Sequence, residues 1–409
     1  MSPAAEVDAD RLAQDIEAVA GFSECDPRVG FSRPTFSPSW RGARDYVVRQ
    51  AEKAGCQVRV DPAGNVHARP AGMTWEERAW LCGSHIDSVP TGGKFDGVTG
   101  VVAALELLRI SPGAAVELIV FAEEEGTTFG LGMLGSKAWT GTITAAELGA
   151  LRNAAGQDYL SAGAPHGVDA ARLSSDRLCA RRYHGLIEVH VEQGPSLWSS
   201  RRPLAVVTAI NGRRQYSCVL TGTANHAGST TMEHRQDALA GAAEAITYLE
   251  SLAGELRAQA DRTVITVGRI EVSPNALNVI PGRALLTIDF RSPADAVLER
   301  GERSLRARLG EIAERRRLTL ELERTENLPV VPMDDGVCRR LREAARRVDV
   351  QLADVTSGAL HDTAIVAPVL PSAMLFVACK DGISHNPREL SRIEDIALAV
   401  RVLAEAVRS

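Results

Sequence analysis

Two short apolar runs, "AWLCGSH" at 79–85 and "VELIVF" at 116–121, flank the segment "DGVTGVVAALELLRI". This strand-helix-strand order limits the possible folds more than any other feature. Runs of that length with little polar alternation are strands buried on both faces, and parallel sheets need them because crossover helices cover each side. The order predicts an α/β chain built on a mostly parallel sheet. Ligands in such sheets gather beyond the carboxyl ends of the strands. His85 and the triplet Glu123-Glu124-Glu125 follow the two runs directly and fall there.

Upstream, residues 9–20 and 40–55 have helical periodicity, and "CQVRVDPAGNVHARP" alternates around a turn, which predicts a hairpin. Residues 141–185 read as surface helices and loops, and "GLIEVHVEQGP" as an alternating strand ending in a turn. From 212 the texture changes to strand, helix, two strands, helix and strand, ending near "LTLELERTE". That order is a self-contained α+β sandwich. It predicts a domain at 212–329 inserted into a first domain made of 1–211 and 330–409. Beyond it come a helix, an uncharged run at 363–379 read as a helix end followed by a buried strand, and a closing helix at 392–407.

Composition excludes several classes. A net charge of −6 leaves no electrostatic footprint for nucleic acid or an anionic membrane, and 45% hydrophobic with 24% charged residues is the balance of a soluble globular protein. The uncharged run is shorter than the roughly 20 residues of a spanning helix and contains Pro368 and Pro371. The acidic start has no secretory pattern, and the seven cysteines form no C-x-x-C pair. Together these predict free thiols and a cytoplasmic location.

The chemistry concentrates in five segments. His85 follows a strand, with Asp87 two residues on to hold the other imidazole nitrogen. Asp96 stands on a glycine-rich turn that lets a short carboxylate approach an ion. Three adjacent carboxylates at 123–125 need a cation or a shared proton if they are buried. With His190 in "HVEQGP" and His385 in "SHNPRE" they make the nitrogen and oxygen mixture that suits a zinc or manganese pair. Two such ions, about 3.5–4 Å apart around a shared carboxylate, activate water for attack on an acyl carbon.

"GSHIDSVPTGGKFDGVTGV", "FAEEEGTTFG", "HVEQGP", "NHAGSTTMEHRQDAL", "NALNVIPG", "DFRS", "SGALHD" and "SHNPRE" occur in that order between about residues 80 and 390. In them the chain resembles the amidase/carbamoylase branch of the M20 metallopeptidase-like superfamily, which contains N-carbamoyl-L-amino acid hydrolases, allantoate amidohydrolases and beta-ureidopropionases. The resemblance implies a metallohydrolase domain with an inserted lid and dimerisation domain, and two divalent ions (Zn, or Mn, Co or Ni). It implies metal ligands at His85, Asp96 (bridging), Glu125, His190 and His385, with Glu124 as general base. A register with Glu123 as base and Glu124 as ligand stays open. It further implies His226 and Asn278 as groups holding the carbonyl or its oxyanion, Arg291 as the clamp for a substrate carboxylate, and Gln193 and His361 as pocket residues. The substrate it implies is a small ureido or N-carbamoyl amino acid, cleaved in a site that closes between the domains of a homodimer, with His226 reaching the neighbouring site. Thr127, Thr128, Trp198 and Leu360 depart from the pattern beside the pocket and bear on substrate identity.

Overall fold

Ala79–His85 and Val116–Phe121 are strands buried at every position, and the helix Val98–Ile110 between them exposes almost nothing. Burial on every side is why the sequence there carries no amphipathic pattern. A computed structural model describes residues 6–408 and divides the chain into two compact units, 1–208 with 332–355 and 360–409, and 209–331 with 356–359.

The first unit is built on a sheet with nine strands among the described residues. Its heart runs Ser372–Val377, Tyr183–Val191, Ala79–His85, Val116–Phe121, and each of these four is parallel to its neighbour. Antiparallel strands extend both sides: Leu204–Ile210 beside Ser372–Val377, and the hairpin Cys56–Val60/Val66–Pro70 beside Val116–Phe121. The sheet is thus mostly parallel at its centre, as the apolar runs predict. Helix starts are set by local chemistry. Asp8 caps Ala9–Ala20 by accepting the Arg11 N–H, and Ser37 caps Pro38–Lys53 with proline in the first turn.

One buried cluster braces the strand that leads to the glutamate triplet. Glu117 accepts from Arg69 (Nε, 2.8 Å) and from the Tyr183 hydroxyl (3.0 Å), and it pairs with His67 Nδ1 at 2.7 Å. The other His67 nitrogen lies 3.2 Å from Asp61, so both ring nitrogens face carboxylates and the ring is held as a cation. Two acids and two bases cancel within the sheet, and each charge has hydrogen-bonded partners.

The second unit is an antiparallel sheet in the order Val264–Ser273, Arg283–Ser292, Gly212–Thr221, Thr319–Leu328. The helices Ala238–Arg257 and Asp295–Arg316 bury Leu249, Leu252, Leu305 and Leu309 against Tyr216, Leu286 and Phe290. The alternating burial of Gly212–Thr221 and Arg283–Ser292 reflects a sheet covered on one face only. The boundaries differ from the sequence reading at both ends of the insertion, where 209–211 and 330–331 join the second unit, and at one separate segment. Residues 356–359, assigned there to the first domain, join the second unit because Asn211 N–H donates to Ser357 O (2.9 Å), Arg262 to Thr356 O (3.1 Å) and Arg291 to Gly358 O (2.8 Å). Among the strands without a sequence reading are Phe31–Arg33, its partner Ser88–Gly92, Leu204–Ile210 and Ala353–Ser357.

Candidate metal centre

His85 is the last residue of its strand and His190 the penultimate residue of Tyr183–Val191, so parallel neighbours deliver both imidazoles at one sheet end. Asp96 comes from the turn that starts the helix Val98–Ile110. That turn must pass over the His85 ring: a Cβ at Gly97 would stand 2.5 Å from its atoms, and Gly97 has φ +64°. Glu124 and Glu125 follow Val116–Phe121, and His385 is on the loop after Ser372–Val377. All four parallel strands therefore aim their ends at one place.

Asp96 sits in the middle. Its Oδ1 is 3.0 Å from His190 Nε2 and 3.7 Å from His85 Nε2, while its Oδ2 is 3.1 Å from His385 Nε2. Glu124 Oε2 lies 3.8 Å from His85 Nε2, and Glu125 Oε2 lies 3.6 Å from His385 Nε2. The donor atoms of His85, Asp96 and His190 lie within 4.8 Å of one another, as do those of Asp96, Glu125 and His385, and those of His85, Glu124 and Glu125. Glu188, His190 and His361 form a fourth such group, and the His361 ring packs edge-on against His190 with centroids 4.4 Å apart.

The hydrogen bonds behind the rings decide what the front nitrogens can do. His85 Nδ1–H donates to the backbone carbonyl of Asp87 (3.0 Å), and His190 Nδ1–H to that of Val191 (2.9 Å). In the neutral form each ring then turns an Nε2 lone pair toward Asp96. The expectation that the Asp87 carboxylate holds His85 is corrected: its Oδ1 is 3.7 Å from Nδ1, and its Oδ2 accepts the Glu125 N–H (3.0 Å). A two-residue tether brings the carbonyl into line with the ring more readily than the side chain.

His190 Nε2 and Glu125 Oε1 are buried without a hydrogen-bond partner, although the Nε2 is only 3.0 Å from a carboxylate. Acceptors facing acceptors call for positive charge between them. A proton or a cation can supply it. Burial lowers His85 to about 4, whereas His190, despite burial, is raised to about 9 by the Asp96 carboxylate beside it. Burial and then the Glu125 charge push Glu124 well above the usual carboxylate range, and burial and then the Asp96 charge do the same to Glu125. Burial also opposes the Asp96 charge, yet His190 and His385 hold that carboxyl well below its ordinary value. This donor chemistry fits divalent ions.

Glu123 takes no part in these groups. Its Oε1 accepts the N–H groups of Thr128 (2.9 Å) and Phe129 (3.0 Å), which pins the turn that presents its two neighbours. Glu123, Gln193 and His385 all have positive φ, at 55°, 53° and 53°. Strained backbone of this kind persists where surrounding contacts over-determine it, and functional sites are the usual place. Gln193 Nε2 donates to Asp96 Oδ2 (2.8 Å).

The remaining sequence-selected residues belong to the second unit. His226 and Asn278 share a short ribbon in which Asn225–His226 pairs with Val279–Ile280, and Ala227 N–H donates to Asn278 O (2.9 Å). His226 Nδ1 accepts from Gly228 N–H (3.0 Å) and Ser229 N–H (3.2 Å), so its proton resides on Nε2 and that exposed edge is a donor. Arg291 is held by Asp289, which accepts its Nε (2.7 Å) and Nη2 (3.2 Å).

The sequence reading passed over Glu188, which accepts from Ser84 (2.7 Å) and Thr363 (2.6 Å). Its place two residues before His190, on the same face of an alternating strand, was the available signal.

Comparison with known proteins follows this geometry. The profile of Peptidase family M20/M25/M40 matches residues 81–409. The chain belongs to this family. Within the M20 family it is similar to N-carbamoyl-L-amino-acid amidohydrolase of Paenarthrobacter aurescens, 33% identical over 407 residues and covering 98% of each chain. Allantoate amidohydrolase of Escherichia coli is 32% identical over 386 residues, which is 93% of this chain and 92% of that one. Among solved structures, a hydantoinase/carbamoylase family amidase from Burkholderia multivorans superposes with a TM-score of 0.89 at 35% identity, covering 98% of this chain and 97% of that one. The chain is accordingly an amidohydrolase-type enzyme of the M20 family. Among the described residues, no helix is long and apolar enough to cross a membrane.

Proposed function

We propose that this M20 enzyme hydrolyses the carbamoyl C–N bond of an N-carbamoyl-L-amino acid or related ureido acid. One water is consumed, and amino acid, carbon dioxide and ammonia are released. The observation that carries the reading is the two-sided Asp96, with His85 and His190 against one oxygen and His385 against the other. The names of the relatives supply the substrate class.

In this reading His85, His190, Asp96, Glu125 and His385 would hold two divalent ions (Zn, Mn, Co or Ni). When bound, such ions polarise the scissile carbonyl and bring water within reach of ionisation at neutral pH. Glu124 receives the proton of the attacking water and returns it to the leaving nitrogen. Its separation from Glu123, which is committed to two backbone N–H groups, supports this register. The Nε2–H of His226 and the amide of Asn278 donate to the developing oxyanion, and Arg291 receives the substrate carboxylate in a planar fork. Gln193 and His361 line the pocket, Gln193 by holding Asp96 from the open side.

We assign the chain to the cytoplasm and to a homodimer formed through the second unit. In that unit the edge strand Val264–Ser273 exposes Val264 and Ile270. A panel of N-carbamoyl amino acids, allantoate, ureidopropionate and N-acyl amino acids, assayed for ammonia with each of the four metals, tests the function. Ammonia release from one or more ureido acids is expected. Turnover confined to N-acyl compounds would overturn it in favour of an aminoacylase.

A further inference from the structure

Glu389 lies four residues past His385 and is 3% exposed. Its Oε2 accepts two backbone N–H groups, from Phe95 (2.8 Å) and from Asp96 itself (3.0 Å). Its Oε1 accepts the hydroxyl of Ser384 (2.6 Å), the residue before His385. A single buried side chain thus fastens the backbone that carries Asp96 to the backbone that carries His385. Ser384 Oγ also lies 3.3 Å from Asp96 Oδ2, so the same strut touches the central carboxylate. The fit is close enough to require glycine on the opposite wall: a Cβ at Gly93 would stand 2.2 Å from Glu389 Oε2 and 2.4 Å from its Cβ.

The donor geometry calls for acceptors at this position, against a carboxyl that burial and the Asp96 charge raise to about 7. Three donors converge on it, and none of them has a different strong acceptor at comparable distance. The two oxygens of one carboxyl group meet all three. Without it, two buried N–H groups in the turn that bears Asp96 would lack partners. The His385 loop, with its ligand at φ 53° and half exposed, would also lose its anchor.

We propose that Glu389 is a positioning residue that ties the Asp96 turn to the His385 loop, sets the spacing of the two ion sites, and slows release of the ions. The inference rests on the reading that Asp96 and His385 are ligands. Partners of metal ligands of this kind typically contribute about 10- to 100-fold in metal affinity.

The test is metal release from purified, metal-loaded enzyme into a chromogenic chelator, with folding followed in parallel by circular dichroism. Glu389→Ala is expected to release metal roughly 10- to 100-fold faster from a folded protein. At saturating metal its kcat should recover while KM for substrate stays near wild type. Glu389→Gln, which keeps an acceptor oxygen at the same reach, should restore most of the slow release. A folded Glu389→Ala that releases metal at the wild-type rate overturns the proposal while leaving the metal reading intact. A wild-type enzyme that takes up no divalent ion sinks the metal reading and this inference together. Should Glu389→Ala fail to fold, Ser384→Ala cuts only the His385 side: faster release supports the tie and unchanged release refutes it.

Discussion

Glu117 gives the sharpest test of the energetics beneath the site. Its carboxyl is buried, which alone would raise its pKa, but His67 and then Arg69 more than compensate and bring it down to about 2 from an ordinary 4.5. A carboxyl lowered in the folded state contributes stability that is complete above its unfolded pKa and is lost as pH falls through the folded one. A depression of roughly 2.5 units corresponds to about 3 kcal/mol at neutral pH, fading between pH 4.5 and about 2. Glu117→Gln keeps the shape and removes the charge, leaving His67 and Arg69 short of one partner. The expected loss is about 3 kcal/mol at pH 6, in line with breaking one member of a buried ionic cluster. His67 sets the opposite edge. Burial lowers its pKa, yet Asp61 and Glu117 raise it overall, so its share is present below about 6.5 and is lost as pH rises through the folded value. Urea denaturation of both proteins across pH 3–8 measures the difference directly. A gap between wild type and variant that stays constant across the whole range would refute the assignment of charge to this cluster.

Glu124→Gln is expected to keep bound metal and lose about 10²- to 10⁴-fold in kcat, because a general base goes while the ligands stay. Glu123→Gln should instead disturb the turn at Thr128 and Phe129, and if it alone abolished turnover the register would be reversed. Arg291→Lys should raise KM about tenfold or more for a carboxylate-bearing substrate, since an ammonium cannot match the planar fork. An equal loss with an analogue lacking that carboxylate would count against the clamp.

The central fold was legible because its cause is local: strands buried on both faces have to be mostly apolar, and 79–85 and 116–121 are, with Glu117 admitted only beside His67 and Arg69. The second unit was legible for a complementary reason, since one-sided burial writes period two into its strands and helical periodicity into its long helices. Ser88–Gly92 escaped notice because it contains Pro90 and ends at the pair Gly92-Gly93, and it pairs only with Phe31–Arg33, more than fifty residues upstream. Leu204–Ile210 is apolar enough to have been read as a strand, but nothing local says which sheet receives it. At the site, the motifs named His85, Asp96, Glu124, Glu125, His190 and His385, whose donor atoms lie in overlapping groups. They were silent on which atom faces which, so Asp87 was expected to hold His85 by its carboxylate where its carbonyl does so. The bonding of Glu123 to its own turn depends on a positive φ that no residue type announces.

The strand that bears His190 pairs in parallel with Ser372–Val377, with His190 opposite Phe376. During synthesis the ribosome must therefore extend the chain through the whole intervening segment before this ladder can close. The intervening unit draws its four strands from a largely continuous stretch and can fold while the earlier strands still wait for their neighbour. Non-local parallel pairing of this sort is slow and leaves apolar edges open meanwhile. Yield in a heterologous host should then depend on chaperone supply and growth temperature more than on metal in the medium.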